Sequence, residues 1–278
     1  MTKAIITSAS NKFFPSLINL LGSIKANYPN HPHIYVYDLG LFYTFRKELE
    51  SMPEVTLLKI PHFVPFWRSC YTWKTYILNT PLADLNFYLD AGNQVLRPLD
   101  EIFEEIERDG YFAVGQGVLL EDITPKEYKN IFNLEQNDYK TPFITAGIFG
   151  FKKDSTVSHL TENLYNLAIS GLCLGFSKEE SWKNKGVNKN IFVRNCKMFC
   201  HDTTLLSLVL KEGIKNLKSH DIYKFGGANS KQDHPDQIIW NLRMNYVNLD
   251  YLRPKRYINT LIVKIFILIR KIRFKFKK

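Results

Sequence analysis

The first half of the chain alternates short apolar runs with stretches of helical periodicity. That pattern predicts strands at 3–7, 33–37, 54–58, 85–90 and 111–115, and helices at about 14–27, 43–51, 69–79 and 99–108. Pro53 and Pro81 follow the second and third helices as stop signals. Such alternation points to a mostly parallel, doubly wound α/β sheet built from right-handed crossovers. One strand carries more than packing. The run Leu85-Asn86-Phe87-Tyr88-Leu89 ends on Asp90, just before Ala91-Gly92-Asn93. In open α/β sheets the ligand crevice lies beyond the carboxyl ends of the strands. Asp90 at that edge either holds a cation or a sugar hydroxyl, or caps the turn by accepting backbone N–H groups.

The second half is less regular. Thr145 to Phe151 reads as a further strand, and Asp154 is expected to cap a helix at 155–169. The polar stretch 177–190 is expected to be a mobile loop or insertion. Asp202 then opens the apolar pattern Leu205, Leu206, Leu208 and Val209, with its acid near the positive end of a helix. With no internal repeat and no low-complexity linker, the simplest partition is one domain over 1–250 and a tail over 251–278.

Charge sharpens that partition. The chain of 278 residues is 45% apolar and 23% charged, as in a folded protein, yet its net charge is +10. Ten of the 37 Lys and Arg residues fall in 251–278, where no acid occurs; residues 1–250 therefore balance 27 bases against 27 acids. A neutral body offers no basic stripe for nucleic acid, so no nucleic-acid partner is expected. The apolar stretch at 257–269 is shorter than the roughly 20 residues needed to span a bilayer. On a helix Lys264, Lys271, Lys275 and Lys278 share a face, with Ile262, Ile265, Phe266 and Ile269 largely opposite. This basic amphipathic helix suits an anionic membrane surface, where each base contributes about 1 kcal/mol; a terminal helix docked on the core is the alternative. Met1-Thr2-Lys3 leads straight into a strand, so no signal peptide is expected and the protein reads as cytoplasmic, peripheral on the inner face of the membrane. Cys70, Cys173, Cys196 and Cys200 show no secreted disulfide pattern. Cys196 and Cys200, beside His201 and Asp202, raise a zinc reading but lack the second ligand pair of a structural site.

Other candidates lie along the same sheet edge. Thr7-Ser8-Ala9-Ser10-Asn11 follows the first strand and leads into a helix, where small polar residues and free N–H groups suit a nucleotide. It lacks the glycines of a P-loop or dinucleotide fingerprint. Asp38 ends the second strand, placed to meet a base or ribose, or else to close the turn Asp38-Leu39-Gly40. Lys74 precedes the Asp90 strand and is a candidate to neutralise a diphosphate.

In order, Ile5-Ile6-Thr7-Ser8, Ile34-Tyr35-Val36-Tyr37-Asp38, Tyr71-Thr72-Trp73-Lys74, Phe87-Tyr88-Leu89-Asp90-Ala91-Gly92, Thr145-Ala146-Gly147-Ile148-Phe149-Gly150-Phe151 and His201-Asp202-Thr203-Thr204-Leu205-Leu206 resemble a GT-A-fold glycosyltransferase. The likeness is to the bacterial lipooligosaccharide galactosyltransferase and glycogenin group, and spans roughly residues 3–210. It implies a nucleotide-diphosphate sugar as donor and a glycan or lipid-linked acceptor. It also implies Mn²⁺ or Mg²⁺ held at the segment matching Asp90, where the family has Asp-X-Asp. Thr145, Ala146 and Gly147 then match the lining of the sugar pocket, and Asp202-Thr203 the family's Asp-Gln, with the acid near the reacting carbon. The chain departs from the pattern twice: Gly92 replaces the second metal acid, leaving Asp90 and Asn93, and Thr203 replaces the Gln. His220, His234 or Asp236 is expected to complete the metal shell. The implied roles are donor binding by Thr7, Ser8, Asp38, Lys74, Asp90 and Asn93, catalysis by Asp202 and Asp90, and metal binding by Asp90 and His234. The reading that competes is an inactive sugar-binding scaffold of the same fold.

Overall fold

The computed structural model describes residues 1–61, 70–175, 196–226, 235–241 and 257–275. In chain order the elements are β1 (Lys3–Ala9), α1 (Phe14–Asn27), β2 (His33–Asp38), α2 (Tyr43–Glu50), β3 (Val55–Lys59), α3 (Thr72–Leu78), β4 (Leu85–Leu89), β5 (Asn93–Val95), α4 (Asp100–Asp109), β6 (Tyr111–Leu119), α5 (Leu120–Ile123), α6 (Gln136–Tyr139), β7 (Pro142–Lys152), α7 (Thr156–Ile169), α8 (Asp202–Gly213), β8 (His220–Asp221), β9 (Ile239–Asn241) and α9 (Tyr257–Lys275). Seven strands make a mostly parallel central sheet in the order β3-β2-β1-β4-β7-β6-β8, and β5 pairs antiparallel with β9. This is the mixed α/β architecture that the alternation of elements predicts.

The chain divides into two compact units. The first comprises Met1–Lys3, Pro61–Tyr88 and Ile102–Ile222, the second Ala4–Ile60, Leu89–Glu101 and Tyr223–Lys278.

In the second unit β2 runs parallel to both β1 and β3, with Ile5 opposite Ile34 and Ile34 opposite Val55. α1 carries Pro15 in its first turn, where no intrahelical amide donor is lost, and buries Phe14, Leu17, Leu20 and Ile24. Phe14 stacks on Phe45 of α2 at 3.7 Å between ring centroids. α9 belongs to this unit as well. Asn259 and Val263 on it are buried, while Ile265 and Ile269 are exposed. Ile262 and Phe266, expected on the same apolar face as those two, are instead partly covered.

In the first unit β7 runs antiparallel to β6, but the pairing is irregular. Ala113 pairs with Phe149 and Gly115 with Ile144, so two steps on β6 answer five on β7. The excess places Thr145 to Ile148 in a bulge, a device that re-aims side chains. Further along β7, Gly150 packs under α4. A Cβ there would run into Ile106 and come within 3.0 Å of Phe112 Cβ. α7 starts from Ser155, which takes the extended N-cap conformation, and not from Asp154 as expected. Asp154 instead adopts φ 55° in the preceding turn.

Candidate functional site

In the second unit β1 and β2 end side by side: Ser8 lies opposite Tyr37, and Ala9 opposite Asp38. Thr7 and Ser8 fall inside β1, not in the loop after it, and both are buried. The Thr7 hydroxyl has no hydrogen-bond partner among the described residues, a costly state for a buried donor. Asp38 is heavily used by its own turn. Its Oδ1 accepts the N–H groups of Gly40 and Leu41, both at 2.7 Å, and its Oδ2 accepts Arg46 Nε at 2.5 Å. Gly40 permits the turn with φ 103°, in the left-handed region that suits glycine. A ribose or base would therefore share the remaining lone pairs of a carboxylate already fixed in place.

Asp90 stands one residue beyond β4. The turn closes on its carbonyl, which accepts the Asn93 N–H at 3.0 Å and Asn93 Nδ2 at 2.9 Å. Asn93, buried where β5 pairs with β9, thus orients the segment that presents Asp90.

The first unit holds a buried charge pair. Lys74 on α3 places Nζ 3.0 Å from Asp202 Oδ2, with side chains only 6% and 7% exposed. The rings of Tyr88, Trp73 and Tyr71 lie around the ammonium, with centroids at 5.4, 5.5 and 5.9 Å. Aromatic faces and a carboxylate together offset the loss of water around a buried cation. Lys74 therefore commits its charge to Asp202, which opens α8. His201 precedes it with φ 46°, and Tyr71 precedes α3 with φ 58°; neither is a glycine. Backbone outside its preferred regions at two element starts flanking one ion pair is the kind of local strain found at functional sites. The His201 ring donates its Nδ1–H to the Cys173 carbonyl at 2.7 Å.

α8 is stitched to the β7 bulge. The Ala146 N–H donates to Thr203 Oγ1 at 3.3 Å, and the Ile144 N–H to Ser207 Oγ at 2.9 Å. The Gly147 N–H reaches Thr145 Oγ1 at 3.2 Å. The expected pocket residues Thr145, Ala146, Gly147 and Thr203 are thereby brought together with Asp202 and Lys74. Sequence reasoning passed over Tyr88 as a partner of Lys74, and Ser207 as a clasp. Their only signal was polar or phenolic character at otherwise apolar positions.

Among the described residues no group of three or more His, Cys, Asp or Glu is placed to hold a metal ion. His234 lies outside those residues, as does the stretch 177–190 expected to be a loop. His220, one of the expected completing ligands, directs Nε2 to both carboxylate oxygens of Glu105 at 2.7 Å and stacks on Phe112. Asp236 is exposed. Burial, with Asp202 adding to it, pushes the Cys200 thiol up to about 11. Burial also raises the Cys196 thiol.

No protein-family model matches the chain, and no curated protein matches it in sequence. Solved structures do match. The galactosyltransferase LgtC in complex with donor and acceptor sugar analogues superposes with a TM-score of 0.54 at 11% identity, covering 94% of this chain and 95% of that one. An active-site mutant of LgtC gives 0.53 at 12% identity with the same coverage. The apo structure of the bifunctional glycosyltransferase WbbM gives 0.45 at 15% identity, covering 62% of this chain but only 37% of that one. Over nearly its whole length, then, this chain has the fold of the LgtC glycosyltransferase structures, a GT-A-like fold.

Proposed function

We propose that the protein is a glycosyltransferase that moves a sugar from a nucleotide diphosphate to a cell-surface glycan acceptor. The acceptor class is lipopolysaccharide, lipooligosaccharide or capsule, built at the cytoplasmic face of the membrane. The observation that carries the reading is the buried Asp202 carboxylate, held by Lys74 and fastened beside the bulged stretch Thr145–Gly147. In sugar transfer the bond from the anomeric carbon to the diphosphate breaks and its electron pair leaves with the phosphate. The acceptor oxygen bonds to that carbon and gives up its proton to the departing diphosphate oxygen. The carbon becomes oxocarbenium-like meanwhile, and a nearby fixed carboxylate stabilises it. Asp202 takes that role, and Lys74 is its positioning residue. Thr145, Ala146, Gly147 and Thr203 line the sugar and acceptor pocket. Thr7, Ser8 and Asp38 take the nucleoside.

Asp90, with the Asn93 amide oxygen in the same turn, would supply a lean oxygen donor set. It suits Mg²⁺ or Mn²⁺, hard cations that keep several waters and take further oxygens from substrate phosphates. When bound, such a cation neutralises charge developing on the departing diphosphate. Gly92, in place of a second carboxylate, favours one competing reading: a scaffold that binds the nucleotide sugar without turning it over.

Nucleoside diphosphate release separates the two. Incubation with a panel of nucleotide sugars, with and without Mn²⁺, is expected to give release that Asp202→Asn lowers at least a hundredfold. Nucleotide binding without release across the panel would establish the scaffold, and no binding of any nucleotide would sink both readings.

A further inference from the structure

α2 is tied to its surroundings by polar contacts that all lie in the second unit. Just before it, the Phe42 N–H donates to Asn11 Oδ1 at 2.5 Å, which joins the turn after β2 to the turn after β1. From the middle of α2, Arg46 reaches back to the carboxyl end of β2, where its Nε donates to Asp38 Oδ2 at 2.5 Å. From α9, Asn259 donates Nδ2 to the Thr44 carbonyl at 3.1 Å and to Glu48 Oε2 at 3.2 Å. Glu48 and Asn259 are both buried, so water does not compete for that contact. The side chains of Arg46 and Asp38, by contrast, are 42% and 11% exposed. An ion pair that open to solvent adds little to stability. Its effect is geometric. Arg46 aims one carboxylate oxygen while Gly40 and Leu41 hold the other.

We propose that Arg46 and Asn259 are positioning residues of the nucleoside subsite, acting in series through α2. Arg46 fixes the carboxylate of Asp38, and Asn259 fixes the helix on which Arg46 rides. The inference rests on the reading that Thr7, Ser8 and Asp38 take the nucleoside. It adds that this subsite is completed from the far end of the chain, since Asn259 lies 215 residues beyond Thr44 in sequence. Truncating the Asn259 amide takes a donor from a buried carboxylate, and the helix must shift to make good the loss. α2 has only eight residues, Tyr43–Glu50, and Arg46 stands two before Glu48, so the guanidinium moves with it. Binding groups must be held to within about 0.5 Å of their productive geometry, so a small shift at Arg46 weakens the contact that Asp38 makes.

Calorimetric titration of the full chain with uridine, guanosine and cytidine diphosphates, well below every thermal midpoint, tests the proposal. For whichever diphosphate the parent binds, Arg46→Met should raise Kd about tenfold, the effect of one charged hydrogen bond lost. Its thermal midpoint should stay near the parent's, because the ion pair is open to solvent. Asn259→Ala should raise Kd about threefold in the parent, and not at all in the Arg46→Met background, where nothing is left to aim. With the nucleotide sugar as donor, KM should rise in the same proportions while kcat holds. Gly150→Ala, which strains the first unit against Ile106, is the control for lost stability and should leave Kd unchanged. The proposal is overturned by an unchanged Kd in Arg46→Met, by an Asn259→Ala effect undiminished in that background, by a loss carried in kcat, or by equal weakening in Gly150→Ala. Each of those leaves the sugar-transfer reading standing. A parent that binds none of the three diphosphates would overturn both.

Discussion

The Lys74–Asp202 pair makes the sharpest predictions at the scale of single residues. Its partners are far apart in sequence and only slightly exposed, so removing one leaves the other charge with little water to solvate it. Lys74→Met is expected to cost about 3–5 kcal/mol in urea unfolding. Lys74→Met combined with Asp202→Asn should cost less than the sum of the two single changes, because the double variant leaves no uncompensated ion. Strict additivity would show that the two groups do not interact. Gly150 is constrained differently. A methyl group there meets Ile106 and Phe112, so Gly150→Ala should cost about 1–3 kcal/mol, and adding Ile106→Val should recover part of it. Equal stability of Gly150→Ala and the parent would mean that α4 yields freely at this point. Both sites were half legible in sequence. Asp202 and Gly150 stood out as residue types, but their partners are fixed by tertiary packing, which periodicity does not encode.

For elements, what local pattern governs was read well and what side chains decide was not. β2 and α1 fall within about a residue of their expected spans because apolar periodicity marks them. β1 runs on to Ala9 because Thr7 and Ser8, small and polar, still fit a buried strand. The start of α7 was misplaced by a residue, since Asp and Ser are both good caps and only backbone conformation separates them. The β7 bulge had no sequence signature beyond Gly147. α9 shows what these limits mean for experiment. Its amphipathic pattern was legible, but its docking through Asn259 was not. Glu48 is fully buried, and Asn259 supplies it with a donor. Asn259→Ala should therefore lower stability by about 1–3 kcal/mol even with no membrane present. An Asn259→Ala variant as resistant to urea as the parent would return α9 to the status of an appendage.

Across the whole molecule, protons distribute unevenly between the folded and unfolded chain. Burial, together with a hydrogen bond to Asp100, raises Tyr28 above its ordinary value. Burial likewise raises Tyr128, Tyr139 and Tyr165, and the thiols of Cys173, Cys196 and Cys200. In the unfolded chain thiols ionise near about 8.5 and phenols near about 10. As pH rises through that range the unfolded state sheds protons that the folded state keeps, so stability falls with pH. Below about pH 8 the contribution is fully present. On the acid side, the groups held low are Asp84, through bonds from the Thr2 N–H and hydroxyl, and Asp109, beside Arg108. Their contribution would be lost as pH drops through their depressed values, but both sit at the surface, where solvent screens most of it. The stability profile should therefore be lopsided, nearly level from about pH 6 to 8 and descending steeply beyond about pH 9. Six of the seven raised groups lie in the first unit, which also contains Lys74 and Asp202. Alkaline loss of structure should accordingly expose Cys173 and Cys200 to thiol reagents in the same step that releases tyrosinate absorbance. A urea midpoint constant up to pH 11, or tyrosines that titrate gradually near pH 10 while the thiols stay protected, would show that these side chains are not held dry by the fold.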